Sequence, residues 1–92
     1  MIINFKIYES YESRRLVFNS YKKGDFIVLT KFNEYSQERE FIIGDVYKID
    51  IKDNNSEEFR IHNNRNDRDA WVRVFEIRKA EPYEIESNKY NL

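Results

Sequence analysis

The sequence predicts a small all-β protein, an antiparallel barrel of five to six short strands with an N-terminal hairpin or short helix added. Three observations carry that expectation. Strand-forming residues dominate, with eleven Ile, seven Tyr and seven Phe against only two Ala, the best helix former. Apolar residues recur at every second position in several stretches and rarely at helical spacing. Turn chemistry also returns at short intervals, with Lys-Gly-Asp at 23–25, Gly-Asp at 44–45 and Asp-Asn-Asn-Ser at 53–56.

Along the chain, Ile3, Phe5 and Ile7 alternate with Asn4, Lys6 and Tyr8, so a half-buried strand is expected over residues 2–8. Polar residues 9–15 then give way to Leu16, Val17 and Phe18, where a hairpin returning through 15–20 competes with a short helix from Ser10. After the turn at Gly24, residues 26–32 (FIVLTKF) have strand composition and no helical period. Residues 33–40 are polar apart from Tyr35 and read as a long loop carrying Glu34, Glu38 and Glu40.

Beyond Gly44-Asp45, residues 46–52 place Tyr47, Ile49 and Ile51 on one face and Lys48, Asp50 and Lys52 on the other. Residues 58–63 repeat the alternation, Phe59 and Ile61 inward, Arg60 and His62 outward, which completes a hairpin around 53–56. A polar connector at 63–69 leads to an expected last strand at 70–77 (AWVRVFEI), and an acidic tail bearing Pro82 follows.

Ninety-two residues suit one domain, here 1–92, divided into an N-terminal elaboration (1–21), a barrel (22–79) and the tail (80–92). The chain has no Cys and one His, which excludes a disulfide framework, a thiolate metal site and a His-rich zinc centre; no metal or cofactor is expected. MIINFKIYES lacks the pattern of a secretory leader, and no run approaches the roughly 18 apolar residues of a membrane span, so a cytoplasmic protein without membrane partners is expected. Richness in Ile, Asn, Lys, Tyr and Phe follows A/T-rich codons and suggests a low-GC bacterium or a phage.

The succession of Lys23-Gly24-Asp25 before a strand, a long polar loop, Gly44-Asp45-Val46-Tyr47-Lys48-Ile49, a hairpin, then Trp71-Val72 running into Phe75-Glu76, resembles small SH3-like β-barrels of tailed phages and bacteria over residues 22–79. The resemblance implies a binding module that uses its long loop, here with Tyr35, and an exposed sheet face as a docking groove for peptides. The first twenty residues are not required by such a barrel. They are expected to add an edge hairpin or a dimer surface, which leaves monomer and homodimer both open.

Catalysis has little to draw on. His62 is the only side chain that ordinarily titrates near neutrality, and Ser10, Ser13, Ser20, Ser36 and Ser56 all sit in polar or turn contexts without a nucleophile elbow. The pairs Glu38/Glu40 and Asp67/Asp69 read as solvated loop charge, and two isolated glycines, Gly24 and Gly44, make no phosphate cradle. A non-enzymatic protein is expected.

Charge placement points to binding. The net charge is −1, with sixteen Lys and Arg against seventeen Asp and Glu, yet residues 60–79 hold Arg60, Arg65, Arg68, Arg73, Arg78 and Lys79 against Asp67, Asp69 and Glu76. If Phe59, Ile61, Val72 and Val74 face the core, Arg60, His62, Trp71 and Arg73 emerge together, with Arg65 and Arg68 nearby. Such residues are frequent protein-interface hot spots, so a protein partner, a host factor to be inhibited or redirected, is the leading expectation. The alternative is single-stranded RNA or DNA, with Trp71 stacking and Arg60, Arg65, Arg68 and Arg73 meeting phosphates. The near-neutral total and the acidic loop at 34–40 weigh against it. The plain competitor to both is a half-buried Trp71 among arginines that only keep the sheet soluble.

Overall fold

A computed structural model describes residues 11–88 and places five antiparallel strands and three short helices in them. In chain order these are α1 (Tyr11–Asn19), β1 (Phe26–Leu29), α2 (Glu34–Glu38), β2 (Val46–Asp53), β3 (Glu58–Asn63), β4 (Arg68–Val72), a 3₁₀ turn (Val74–Glu76), β5 (Ile77–Lys79) and α3 (Pro82–Asn88). The strand expected at 2–8 lies outside the described residues.

The strands form one antiparallel sheet in the order β4-β3-β2-β1-β5. Strand β2 joins its two halves. Its first residues, Val46, Tyr47 and Lys48, pair with Val28, Ile27 and Phe26 of β1, and from Ile49 onward it pairs with β3. A register shift between Ile49 and Ile51 inserts one extra residue at the handover, which bends a strand and raises its twist.

Among the described residues the expected barrel is not closed: β4 and β5 are the two edges of the sheet. Residues 70–77 form two short strands instead of the single strand expected. Past Val72 the amide of Arg73 donates to Glu76 Oε1 at 2.8 Å and the amide of Glu76 donates back to the Arg73 carbonyl at 2.9 Å, which tightens the chain into the 3₁₀ turn. Strand β5 then has only three residues, paired with β1.

Glu76 also ends β1 early. Its carbonyl accepts the amides of Thr30 and Lys31 at 2.8 and 3.2 Å, so the expected strand over 26–32 stops at Leu29. The polar stretch after it is a helix in part. Asn33 Oδ1 accepts the amides of Tyr35 and Ser36, both at 2.9 Å, while Ser36 Oγ accepts the Asn33 amide at 3.0 Å, a reciprocal cap that opens α2. At its far end Glu40 takes a left-handed φ of 61°. The carbonyls of Arg39 and Glu40 there are bound by the buried Asn63 amide, and Asn66 adds a 2.9 Å bond to Arg39.

Of the two alternatives for residues 15–20, the helix is the one formed. An apolar run in a strand would bury alternate residues, but Leu16 is 72% and Val17 43% exposed, while Phe18 alone turns inward at 2%. Phe18 stacks on Phe59 with ring centroids 4.8 Å apart, and Tyr21 tilts against the same ring at 5.2 Å. These rings join Ile27, Leu29, Ile49, Ile61, Val72 and Ile77 in the core, and such aromatic pairs add about 0.5–1.5 kcal/mol beyond area burial. Helix α1 thereby covers this face of the sheet through Phe18. Lysine stems seal the seam, Lys52 Nζ donating to the Tyr21 carbonyl at 2.9 Å and Lys79 Nζ to that of Ser20 at 2.8 Å.

On the other face Val28 and Val46, paired across β1 and β2, are also buried, where α3 packs against β2. The acidic tail therefore begins as a structural element. Pro82 starts the helix, where its missing N–H costs nothing, and Arg78 binds Glu84 through two bonds of 2.7 Å.

Candidate functional site

The register of β3 and β4 determines which predicted side chains meet. Arg60 lies directly opposite Trp71 and His62 opposite Asp69, while Phe59, Ile61, Ala70 and Val72 fill the buried side of the same ribbon. Trp71, Arg60 and His62 therefore share the outer face, with Trp71 half-buried. Arg73 follows one residue past β4, keeps the phase of Trp71 and reaches Glu58 at 3.6 Å, at the border of that face.

The remaining predicted residues are not gathered there. Arg68 pairs with Asn63 at the start of β4, out of phase with Trp71. Arg65 turns away from the ribbon to Asp45 at 2.8 Å. Tyr35 stands 52% exposed on α2 with its ring beneath the Arg39 guanidinium at 5.2 Å. Tyr47 belongs to the core, where its hydroxyl accepts the Ile42 amide at 2.8 Å and burial pushes its pKa up.

Electrostatically the face differs from the sequence segment that supplies it. The excess of positive charge over 60–79 is met by carboxylates from elsewhere in the chain: Asp50 on Arg60, Asp45 on Arg65, Glu58 on Arg73 and Glu84 on Arg78. The Arg60–Asp50 pair is the tightest, with Nε and Nη2 of Arg60 both on Asp50 Oδ2 at 3.1 and 2.5 Å. Those bonds hold the Asp50 carboxyl below its usual range, aided by the charges of Lys23 and His62, and raise the Arg60 pKa. His62 sits between two carboxylates, Nδ1 2.7 Å from Asp69 and Nε2 3.2 Å from Asp67. Among the described residues no group of His, Asp and Glu side chains is arranged to hold a metal ion.

A cleft that sequence reasoning missed opens beside His62. It measures about 770 Å³ and is lined by Phe26, with Lys23, Lys48, His62 and Asn64 around it, while Ile49 at its wall turns its side chain into the core on the opposite face. Phe26 and Lys48 are cross-strand partners in β1 and β2, and Lys48 precedes Ile49, itself paired with Ile61, the residue before His62. Alternation along β2 already pointed Lys48 outward. What the sequence lacked was the pairing that brings Phe26 and His62 to either side of it.

Positioning also rests on residues without a motif. Asn33 Nδ2 donates to the Trp71 carbonyl at 2.9 Å and to Glu76 Oε1 at 3.0 Å, tying the start of α2 to the end of β4 and to the 3₁₀ turn. Among the described residues no helix is long and apolar enough to cross a membrane. No protein family matches this chain, nor does any curated protein or solved structure.

Proposed function

We propose that this chain is a non-enzymatic, SH3-like binding module that presents the outer face of β2, β3 and β4 to a protein partner, with Trp71 and Arg60 at the centre. The observation that carries this reading is the matching of the arginines by carboxylates around a half-buried tryptophan. A surface whose Arg60, His62 and Arg73 each face an acidic group has little net attraction for a phosphate backbone. An aromatic anchor bordered by paired charges is what a protein interface uses.

Two features support the SH3-like part: the strand order β4-β3-β2-β1-β5, and a 3₁₀ turn between the last two strands. A binding rather than catalytic role is supported by His62, whose ring nitrogens both already face carboxylates. The A/T-rich composition fits an accessory protein of a phage or low-GC bacterium acting on a host factor.

Capture of a partner from host lysate on the immobilised protein, repeated with Trp71→Ser, tests the reading: the partner is retained by the wild type and lost from the variant. Titration with a labelled oligothymidylate across a salt series tests the nucleic-acid alternative. Tight binding that weakens steeply as salt rises and depends on Trp71 would replace the protein partner with a single strand.

A further inference from the structure

We infer that the cleft between β1, β2 and β3 receives an acidic peptide segment of the partner, one apolar side chain entering over Phe26 and flanking carboxylates meeting Lys23 and Lys48. This inference rests on the proposed protein-binding role and adds to it the chemistry of the partner.

Size and lining come first. Ligand sites commonly span roughly 300–1,000 Å³ with apolar walls and a few placed polar groups. The cleft, at about 770 Å³, has room for a side chain with the backbone on either side of it. Phe26 is half-buried, so an apolar group laid over its ring leaves water, while Asn64 lines the cleft and brings both a donor and an acceptor for a peptide unit.

Charge then selects the partner. Arg60, His62 and Arg73 each have carboxylates beside them, but among the described residues neither Lys23 nor Lys48 makes an ion pair or a side-chain hydrogen bond. The acidic residue on the cleft wall, Asp50, is already bonded twice by Arg60. The cations left to a ligand are thus two lysines about an apolar floor, complementary to local carboxylates on an apolar residue. A continuous phosphate chain would in addition have to pass Asp67 and Asp69 beside His62.

The test uses the full chain and a capped, fluorescein-labelled peptide, Glu-Asp-Phe-Asp-Glu, read by anisotropy at low salt and by amide NMR. Binding is expected to shift resonances at Lys23, Lys48, His62 and Asn64. The Lys23→Glu/Lys48→Glu double variant should bind at least about tenfold more weakly, and Lys31→Glu, a lysine outside the cleft, should bind within about twofold of wild type. Replacing the peptide's Phe with Gly should also weaken it. The inference is overturned by no binding at low salt, by shifts confined to other surfaces, by equal binding of Lys-Lys-Phe-Lys-Lys, by an unaffected double variant, or by an oligothymidylate that displaces the peptide and binds more tightly. A lysate partner lost with Trp71→Ser but kept by the double variant would refute the cleft assignment alone. A partner kept by both variants would refute the proposed face itself.

Discussion

Replacing Asn33 with serine separates two jobs that one side chain performs. Its oxygen caps α2, and its amide nitrogen bridges the Trp71 carbonyl and the Glu76 carboxylate. Serine keeps a cap acceptor and removes the bridge. A neutral hydrogen bond contributes about 1 kcal/mol and one to a charged group about 1.5–3 kcal/mol, and Glu76 is only 6% exposed, so water replaces the lost donor poorly. Asn33→Ser should therefore cost about 2–4 kcal/mol, and Asn33→Ala about 1 kcal/mol more for the cap. Against a typical total of about 5–15 kcal/mol that is a large share. Urea unfolding of both variants reads the loss as a lower midpoint at unchanged slope. Glu76→Gln, alone and combined with Asn33→Ser, gives the coupling between the two residues. A serine variant within about 0.5 kcal/mol of wild type, the range of ordinary surface changes, would refute the bridge. The bridge also ends at the carbonyl of Trp71, so its loss should weaken partner capture along with stability.

Two further outcomes follow from the geometry. Glu40 holds a left-handed φ of 61°, which costs an L-residue about 1–2 kcal/mol; Glu40→Gly should raise the melting temperature by a few degrees after glycine's own entropy loss, and a fall would contradict the backbone assignment. The Glu84 carboxyl is pulled down to about 2, first by the Arg78 hydrogen bonds and then by the Glu81 amide, from an ordinary value of 4.5. Because the folded value is the lower one, the pair's contribution to stability is present above about pH 4.5 and is lost as pH falls through the window down to about 2. Carboxyl NMR titration of Arg78→Ala should return Glu84 toward the ordinary range, and an unmoved titration would contradict the pairing.

What was legible in the sequence is what depends on alternation alone. The hairpin of β2 and β3, the burial of Phe59 and Ile61 and the shared face of Arg60, His62 and Trp71 all follow from period two once β3 and β4 pair. The neutralisation of that face did not follow, because it depends on which partners the pairing brings together: Asp50 of β2 on Arg60 and Glu58, at the start of β3, on Arg73 beyond the end of β4. Asp50 meets Arg60 beside the bulge between Ile49 and Ile51, and a bulge leaves no mark in an apolar pattern. Helix α2 was hidden because four polar residues and Tyr35 carry no amphipathic stripe; its one signal was the Asn33-x-x-Ser36 cap. Residues 70–77 alternate well enough for one strand, and the break depends on Glu76 folding back onto the Arg73 amide. The cleft needed the pairing of Phe26 with Lys48, a long-range register that single-strand patterns do not contain.

Calorimetric titration of the captured, purified partner into the wild type and into Trp71→Ser measures the central claim directly. Truncating an interface anchor typically costs 2 kcal/mol or more, so the variant should bind at least about thirtyfold more weakly while its urea midpoint stays near that of the wild type. Equal affinity of the two proteins would show that the partner binds elsewhere and that Trp71 and Arg60 are not the centre of the interface.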